Sequence, residues 1–448
     1  MTRFSVINRL FLMNRGECYD SAPMNPQSMR LNVFGLSFLL LGLTPLASTD
    51  KPELLRLSDA HQMFVLRDAL IGRPSPPDFY VGEIACAFND TATCEEKFRR
   101  VLTSEPKSTA AKKIHHILAY AAMREGRYGR SIHEIDALLE LDPNDSDAKS
   151  TRPFIDALSH FPDQAVQGNG SSKETVQMDD GKLPLLINGR KAFYFFDTGA
   201  NLSTLSESEA LRLGMATQDV KSAGGSVDVN GNSVSFHVAL AKSLALGRIE
   251  LRNVAFLVAS NDQKPFVDME PGQRGLIGLP VLRALGSITW TRKGSFEADI
   301  SRAAANLATA NICFDDLNVI TQALFKQHAL PFVLDTGAET SDLWPKFAVI
   351  ARDLIRKSGT HDSQTVTGMG GGQEFRVTSI PKVMLELGGK SVALKPAHIL
   401  GAQQRTQSQW FYGNLGIDLL RQAQSVTINF KTMTLHLDSA PEPRINGE

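Results

Sequence analysis

Hydrophobic positions along the chain keep two different periods, and the change falls across residues 163–176. From Pro52 to about Pro162 the apolar residues recur at helical spacing. Ile114, Ile117, Leu118 and Ala121 share one face, and Gly126 interrupts the run. Ile132, Ile135, Leu138 and Leu139 then begin a second face, which Leu141-Asp142-Pro143 ends. Residues 163–176, rich in Gly, Ser, Asn and Gln, read as a linker. Beyond them the apolar runs are short or alternating: LPLLI at 183–187, AFYFF at 192–196, SVSFHVAL at 233–240 and NVAFLVA at 253–259, each bounded by Gly, Asn or Asp. Such runs predict strands joined by turns. The pattern therefore predicts a multidomain α and β chain, helical first and mostly β afterwards.

The helical part, residues 50–162, resembles a tetratricopeptide repeat at 111–149, where a helix pair has Gly-x-Tyr in its turn and Asp-Pro at its end. Residues 94–108 look like the closing helix of a degenerate preceding unit. Such repeats bury their faces by stacking, and three or more are normally needed. This region is read equally as a platform for a protein partner or as a helical cap packed on the β region. His115, His116 and Tyr128 fall at ordinary packing and turn positions and are assigned no chemistry.

The first 49 residues have another logic. Residues 33–48 form an apolar run with small residues at its end, directly after Met29-Arg30, as a secretory signal begins. The run is short against the ~20 apolar residues of a membrane span. Met29, or Met24, is the expected start, with cleavage near Ala47–Thr49 and export to the periplasm; a buried helix or an uncleaved anchor is the alternative. No cysteine follows the run to carry a lipid, and no stable membrane span is expected after cleavage. Outside the leader, which holds Cys18, the cysteines are Cys86, Cys94 and Cys313. Export makes a Cys86–Cys94 disulfide reasonable, against the reading of two unrelated thiols. Three cysteines without paired histidines make no zinc site, and no metal or cofactor is expected. The net charge of −1 gives no pull toward nucleic acid, and no basic, aromatic-interleaved run appears.

The β region repeats itself. FYFFDTGANLSTL at 193–205 is answered by PFVLDTGAETSDL at 331–343, each an apolar strand running into Asp-Thr-Gly-Ala. One given tetrapeptide is expected on the order of once per 10⁵ positions at average composition. Further on, RGLIGLPVLRALGSITW at 274–290 is answered by YGNLGIDLLRQAQSVTI at 412–428: an apolar-Gly turn, a short helix, then a strand. Asp197 to Gly278 and Asp335 to Gly416 are both 81 positions. A Gly-rich turn lies between the anchors in each case, at 222–231 with Gly224 and Gly225, and at 367–375 with Gly370, Gly371 and Gly372. One Asp-Thr-Gly alone could be a plain β-turn. Two copies in register are not.

These residues resemble the aspartic peptidases, pepsin-like and retropepsin-like, over roughly 180–440. The resemblance implies a mostly-β, bilobal acid-protease fold, with two retropepsin-like halves at 177–305 and 306–440, a cleft between them for a peptide or protein substrate, and a tail at 441–448. It also implies that Thr198 and Thr336 hydrogen-bond across the pseudo-twofold axis. Gly199 and Gly337 would allow a tight turn that aims amides at the carboxylates, and Ile277-Gly278 and Leu415-Gly416 would pack behind the loops. The Gly-rich turns would be flaps, or simple hairpin loops; neither has the tyrosine typical of a pepsin flap.

The chemistry stands beside the resemblance. Hydrolysing a peptide without metal or covalent intermediate needs an activated water and an acid for the leaving amine. Two adjacent carboxylates supply both, because they share one proton. Asp197 and Asp335 are the pair with matched contexts. Ala200 and Ala338 stand where many pepsin-like enzymes have Ser or Thr, so a donor to the ionised carboxylate is missing and a mildly acidic to near-neutral optimum is expected. No Gly-x-Ser-x-Gly, His-Glu-x-x-His, phosphate loop or Gly-x-Gly-x-x-Gly opening a helix occurs. The histidines are scattered, and Trp290 and Trp344 read as core. An aspartic endopeptidase is the leading reading. A catalytically silent peptide-binding protein and a peptidase held latent by the helical region are its rivals.

Overall fold

The computed structural model describes residues 50–168, 172–220, 226–227, 233–234, 236–301, 303, 306–368, 371–401 and 406–438. The expected signal with Met29, Cys18, the glycines Gly224, Gly225 and Gly370, and the tail lie outside the described residues. Seven helices, from Asp50–Asp59 to Ser146–Ser159, precede the described strands. Among the described residues no helix is long and apolar enough to cross a membrane.

Local signals set the helix ends. Asp90, Ser108 and Asp145 accept hydrogen bonds from the amides of Thr93, Ala111 and Ala148, at 3.1, 3.1 and 2.8 Å. Each satisfies an amide left free in a first helical turn, a contribution of about 1 kcal/mol. Thr109–Arg124 ends before Gly126, which has φ +69°, and Tyr128–Leu141 ends where Asp142-Pro143 begins. Ile114, Leu118, Ile135 and Leu138 are buried, as their spacing predicts. A disulfide joins Cys86 to Cys94, and Cys313 is free and buried.

The stretch read as a linker is more ordered than its composition suggests. Ala165–Gly168 pairs antiparallel with Ile249–Ala259, from Ala165↔Arg252 to Gly168↔Ile249, and Lys173–Gln177 pairs with Ser295–Asp299. An open sheet edge offers backbone donors and acceptors to any extended segment, whatever its side chains, so composition could not reveal these strands.

An eight-stranded and a ten-stranded sheet carry the same set of pairings around their centres. In the first, Ser203–Ser206 runs parallel to Ile249–Ala259 and antiparallel to Gly275–Ile277; that strand lies parallel to Arg190–Phe196, which is antiparallel to Leu183–Ile187. In the second, Asp342–Leu343 runs parallel to Ala397–Leu400 and antiparallel to Gly413–Leu415; that strand lies parallel to His328–Leu334, which is antiparallel to Asn318–Phe325. A five-stranded sheet links the two, with Ser287–Thr291 antiparallel to Ser425–Asn429. Its central pair is Thr289↔Thr427, whose hydroxyl oxygens are 2.8 Å apart and whose sequence separation is 138.

The helices share cores with these sheets. Phe64, Leu66, Ile84 and Phe88 belong to one buried cluster with Phe314, Trp344 and Phe430. Phe154, Ile155 and Leu158 belong to another with Val238, Leu257 and Phe266. Polar links accompany the packing: Asn89 Nδ2 donates to Phe430 O at 2.6 Å, Arg67 Nη1 to Ala310 O at 2.6 Å, and Arg283 Nη2 to Glu125 Oε1 at 2.9 Å. His61 and His116 pair with Asp315 and Asp316 at 2.7 and 3.0 Å. His116 thus holds an interface contact, where its place in the repeat pattern suggests only local packing. These contacts pack the helical region against the β-rich part of the chain.

Candidate active site

The two Asp-Thr-Gly-Ala loops meet. Along Arg190–Phe196 the side chains of Ala192, Tyr194 and Phe196 are buried, and the strand delivers Asp197 at its end. The Asp197 amide donates to Ile277 O at 2.8 Å, and the Asp335 amide donates to Leu415 O at 2.9 Å. Each aspartate is thus anchored to its own apolar-Gly turn, 81 positions downstream in sequence. Behind the loops, Leu279 N donates to Ala200 O and Ile417 N to Ala338 O, both at 2.8 Å.

The threonines cross between loops. Thr198 Oγ1 donates to Leu334 O at 2.8 Å and accepts from Thr336 N at 3.1 Å; Thr336 Oγ1 donates to Phe196 O at 3.3 Å and accepts from Thr198 N at 3.0 Å. Each hydroxyl therefore satisfies two backbone groups of the opposite strand-loop junction, where buried polar atoms would otherwise go unpaired.

Asp197 and Asp335 are 2% and 0% exposed, so both carboxyl groups are set mainly by their protein neighbours. Asp197 Oδ1 accepts from Gly199 N at 2.7 Å and from Gly337 N at 3.2 Å. Asp335 Oδ1 accepts from the same Gly337 N at 3.1 Å and from Ala338 N at 3.1 Å. One amide of the second loop therefore touches both carboxylates. The glycines are required for a reason other than the tight turn that the sequence suggests, since neither has a positive φ. A Cβ on Gly199 would stand 2.6 Å from Asp335 Cγ, and one on Gly337 would stand 2.2 Å from Asp197 Oδ2. Each carboxylate packs against the backbone of the opposite loop, and a side chain there would push them apart.

Three further polar side chains complete the site. Ser203 Oγ accepts from Gly278 N at 3.1 Å, and Ser341 Oγ accepts from Gly416 N at 2.8 Å. Ser341 in turn donates to Asp418 at 2.6 Å, and burial raises the pKa of that carboxyl. Asn414 Nδ2 donates to Asp335 Oδ2 at 3.2 Å. The two serines carry a sequence signal, because each lies six positions after its aspartate. Asn414 has no such signal: at the matching place in the first loop set stands Leu276.

A cavity of about 750 Å³ reaches Asp197, Thr336 and Gly337. Phe195, Phe266, Leu276 and Trp290 give it apolar walls, and the Glu339–Arg421 pair, 2.7 Å apart, borders it. Trp290, read from sequence as core, is buried yet faces this cavity, whereas Trp344 lies wholly in the core. Such a volume lies within the range of ligand-binding clefts. Thr360–Gly368 and Gly371–Ile380 form a long hairpin whose register closes at Gly368↔Gly371, so Gly371 and Gly372 lie at its tip. In the first loop set Ser226–Val227 pairs with Ser233–Val234. Among the described residues no group of three His, Cys, Asp or Glu is placed to hold a metal ion.

Residues 183–281 match the family model described as aspartyl protease. The match includes the Asp197 loop and its Gly278 turn and stops short of the Asp335 loop. Among solved structures, a retropepsin-like aspartic protease from Rickettsia conorii is 15% identical over 30% of this chain and 92% of its own, with a TM-score of 0.20. None of the curated proteins matches the chain.

Proposed function

We propose that this protein is an aspartic endopeptidase whose two retropepsin-like halves, 177–305 and 306–440, are copies of one duplicated unit and supply Asp197 and Asp335 to a single dyad. The observation that carries this reading is the Gly337 amide, within 3.2 Å of an oxygen of each carboxylate. Two buried carboxyls in such proximity cannot both ionise, so they hold one proton between them. The charged member takes a proton from a water molecule as its oxygen attacks the scissile carbonyl carbon. The neutral member gives its proton to the carbonyl oxygen. The proton taken from water then passes to the departing amine nitrogen as the carbon–nitrogen bond breaks, and a hydroxyl of the tetrahedral diol gives its proton back to the dyad as the new carboxylic acid forms. The family match over 183–281 supports the first half of this account, and the recurrence of its pairings in the second sheet supports the other.

The cavity beside Asp197 is the proposed seat of the substrate peptide, and the Gly371–Gly372 hairpin tip is a proposed flap. The accompanying proposal is export to the periplasm, a compartment in which a Cys86–Cys94 disulfide would persist. Asp197→Asn and Asp335→Asn should each lower kcat/KM on a peptide library by at least ~10³-fold with the fold retained, since the loss of either partner removes the shared proton. Cleavage that survives Asp197→Asn would remove the dyad from the mechanism. Peptide binding without cleavage by the folded wild type would favour the silent-binding alternative.

A further inference from the structure

The constant offset of 138 that relates Asp197 to Asp335 also relates Arg274 to Tyr412, Gly272 to Trp410 and Phe193 to Pro331. In the first half, the Phe193 amide donates to Gly272 O at 2.8 Å. That bond ties the segment leading into Gly275–Ile277 to Arg190–Phe196, the strand that ends at Asp197. Proline has no amide hydrogen, so Pro331 cannot repeat the bond toward Trp410 O. Trp410 O instead accepts from Lys346 Nζ at 2.8 Å. The second half therefore lacks this backbone tie, just before Gly413–Leu415, whose Leu415 O anchors the Asp335 amide.

The helical region reaches this place. His61, in the turn between Asp50–Asp59 and Met63–Leu70, stacks its ring on Trp410, with centroids 3.7 Å apart and planes 27° from parallel. Its Nδ1 lies 2.7 Å from Asp315 Oδ1. Asp315 ends the strand Ile312–Asp315, which pairs with Asn318–Phe325, and that strand pairs with His328–Leu334, the carrier of Asp335. The imidazole is thus held by the second sheet while it covers the segment leading into Gly413–Leu415. Gly272 has no ring for such a contact. Tyr412, two residues after Trp410, donates its amide to Pro331 O at 3.0 Å, so a shift of Trp410 is passed directly to the Asp335 strand.

We infer that His61 is a positioning residue, by which the helical region holds segment 410–415 and, through it, the loop that seats Asp335. The stack on Trp410 takes the place of the backbone tie that Pro331 removes. Stacked rings resist sliding apart, and Asp315 fixes the orientation of the imidazole. Neither His61 nor Trp410 lines the cavity beside Asp197, so the contact acts on the geometry of the dyad and not on the seat of a substrate.

The inference rests on the peptidase reading, and its test separates the two. In the full chain, His61→Ala and Trp410→Leu should each speed hydrogen exchange at the Tyr412 and Asp335 amides by about tenfold, through easier local opening. The Phe193 and Asp197 amides of the first half should exchange as before. On a peptide substrate, each variant should lower kcat about tenfold and leave KM within about twofold. The double variant should be no worse than either single one, because both remove the same contact. Trp410→Phe, which keeps a ring against His61, should retain the wild-type exchange and kcat. If one of the single variants does not fold, the other, set against Trp410→Phe, decides the matter. Exchange that rises equally in both halves reports a general loss of stability and overturns the positioning role. Single effects that multiply in the double variant overturn it too, as does faster exchange confined to the second half with kcat unchanged. A wild type that cleaves no peptide, yet whose variants show exchange changed only in the second half, overturns the peptidase reading and keeps the brace between His61 and Trp410.

Discussion

At the scale of single residues, the two loops of the site pack backbone against carboxylate. Gly337 illustrates this, since its amide serves both carboxylates and its missing side chain leaves the space that Asp197 occupies. Gly337→Ala should cost about 1–3 kcal/mol of stability through overpacking and abolish cleavage even at temperatures where the variant is folded. Chemical denaturation and a turnover assay read the two effects separately. The alanines bear on pH. Ala200 and Ala338 are fully buried and bring no hydroxyl to the carboxylates, so the rate should peak at mildly acidic to near-neutral pH. A pH–rate profile with its maximum well below pH 4 would contradict this, and Ala338→Ser should move the acid limb downward by adding a hydroxyl donor beside the carboxylates.

Elements decide how closely the loops meet. Four strands hold the two aspartates: Arg190–Phe196 and His328–Leu334 carry them, while Gly275–Ile277 and Gly413–Leu415 accept their amides. The threonine bonds tie these two sets together across the centre. Thr198→Val keeps the volume and removes the Thr198 hydroxyl, leaving Leu334 O and Thr336 N without it. Stranding two buried backbone groups should cost about 3 kcal/mol in thermal unfolding, with a larger proportional fall in kcat than in KM because the loops that orient the carboxylates loosen. Thr336→Val should behave in the same way, given its bonds to Phe196 O and Thr198 N.

For the whole molecule, the relation of helices to sheets matters most. Phe64, Leu66 and Phe88 lie in the same buried cluster as Phe314, Trp344 and Phe430, so the helical region is part of the fold's support for the second sheet. A truncation to residue 177 onward would expose that surface, and a loss of activity there would report unfolding as readily as regulation. A gentler probe is the His116–Asp316 pair. Burial alone would lower the imidazole's pKa, but the charge and hydrogen bond of Asp316, with Asp147 and Asp145 nearby, raise it to about 9. The pKa of the Asp316 carboxyl, although burial pushes it up, is brought below the usual aspartate value by His116, His61 and Arg124. A histidine raised in the folded state gives its stabilisation in full below its unfolded value of about 6.5 and loses it as pH climbs through the folded value. The unfolding temperature should therefore decline between pH 6.5 and 9, and His116→Asn should remove much of that decline. If the helical region holds the enzyme latent, the same variant should raise peptidase rate near pH 6; an unchanged rate would favour a purely supporting role.

Much of the site is legible in the sequence. The matched tetrapeptides, the apolar-Gly turns and their equal spacing come from a linear pattern, because strand ends and tight loops need particular residues at fixed distances along the chain. The helix faces around Ile114 and Ile135 were equally readable, since amphipathic spacing is a property of consecutive residues. Other features depend on groups far apart in sequence. Composition hid the strands Ala165–Gly168 and Lys173–Gln177, whose partners at Arg252 and Ser295 are supplied by remote sheet edges. No local rule distinguishes His116 from its neighbour His115 until Asp316 is brought beside it. Asn414 carries no signal in the sequence, because its meaning lies in a bond to a carboxylate 79 positions earlier. Sequence thus determined which residues recur and which chemistry they can perform. Only the tertiary structure decided which of them share a donor, because a hydrogen bond is fixed by distance in space and not by order along the chain.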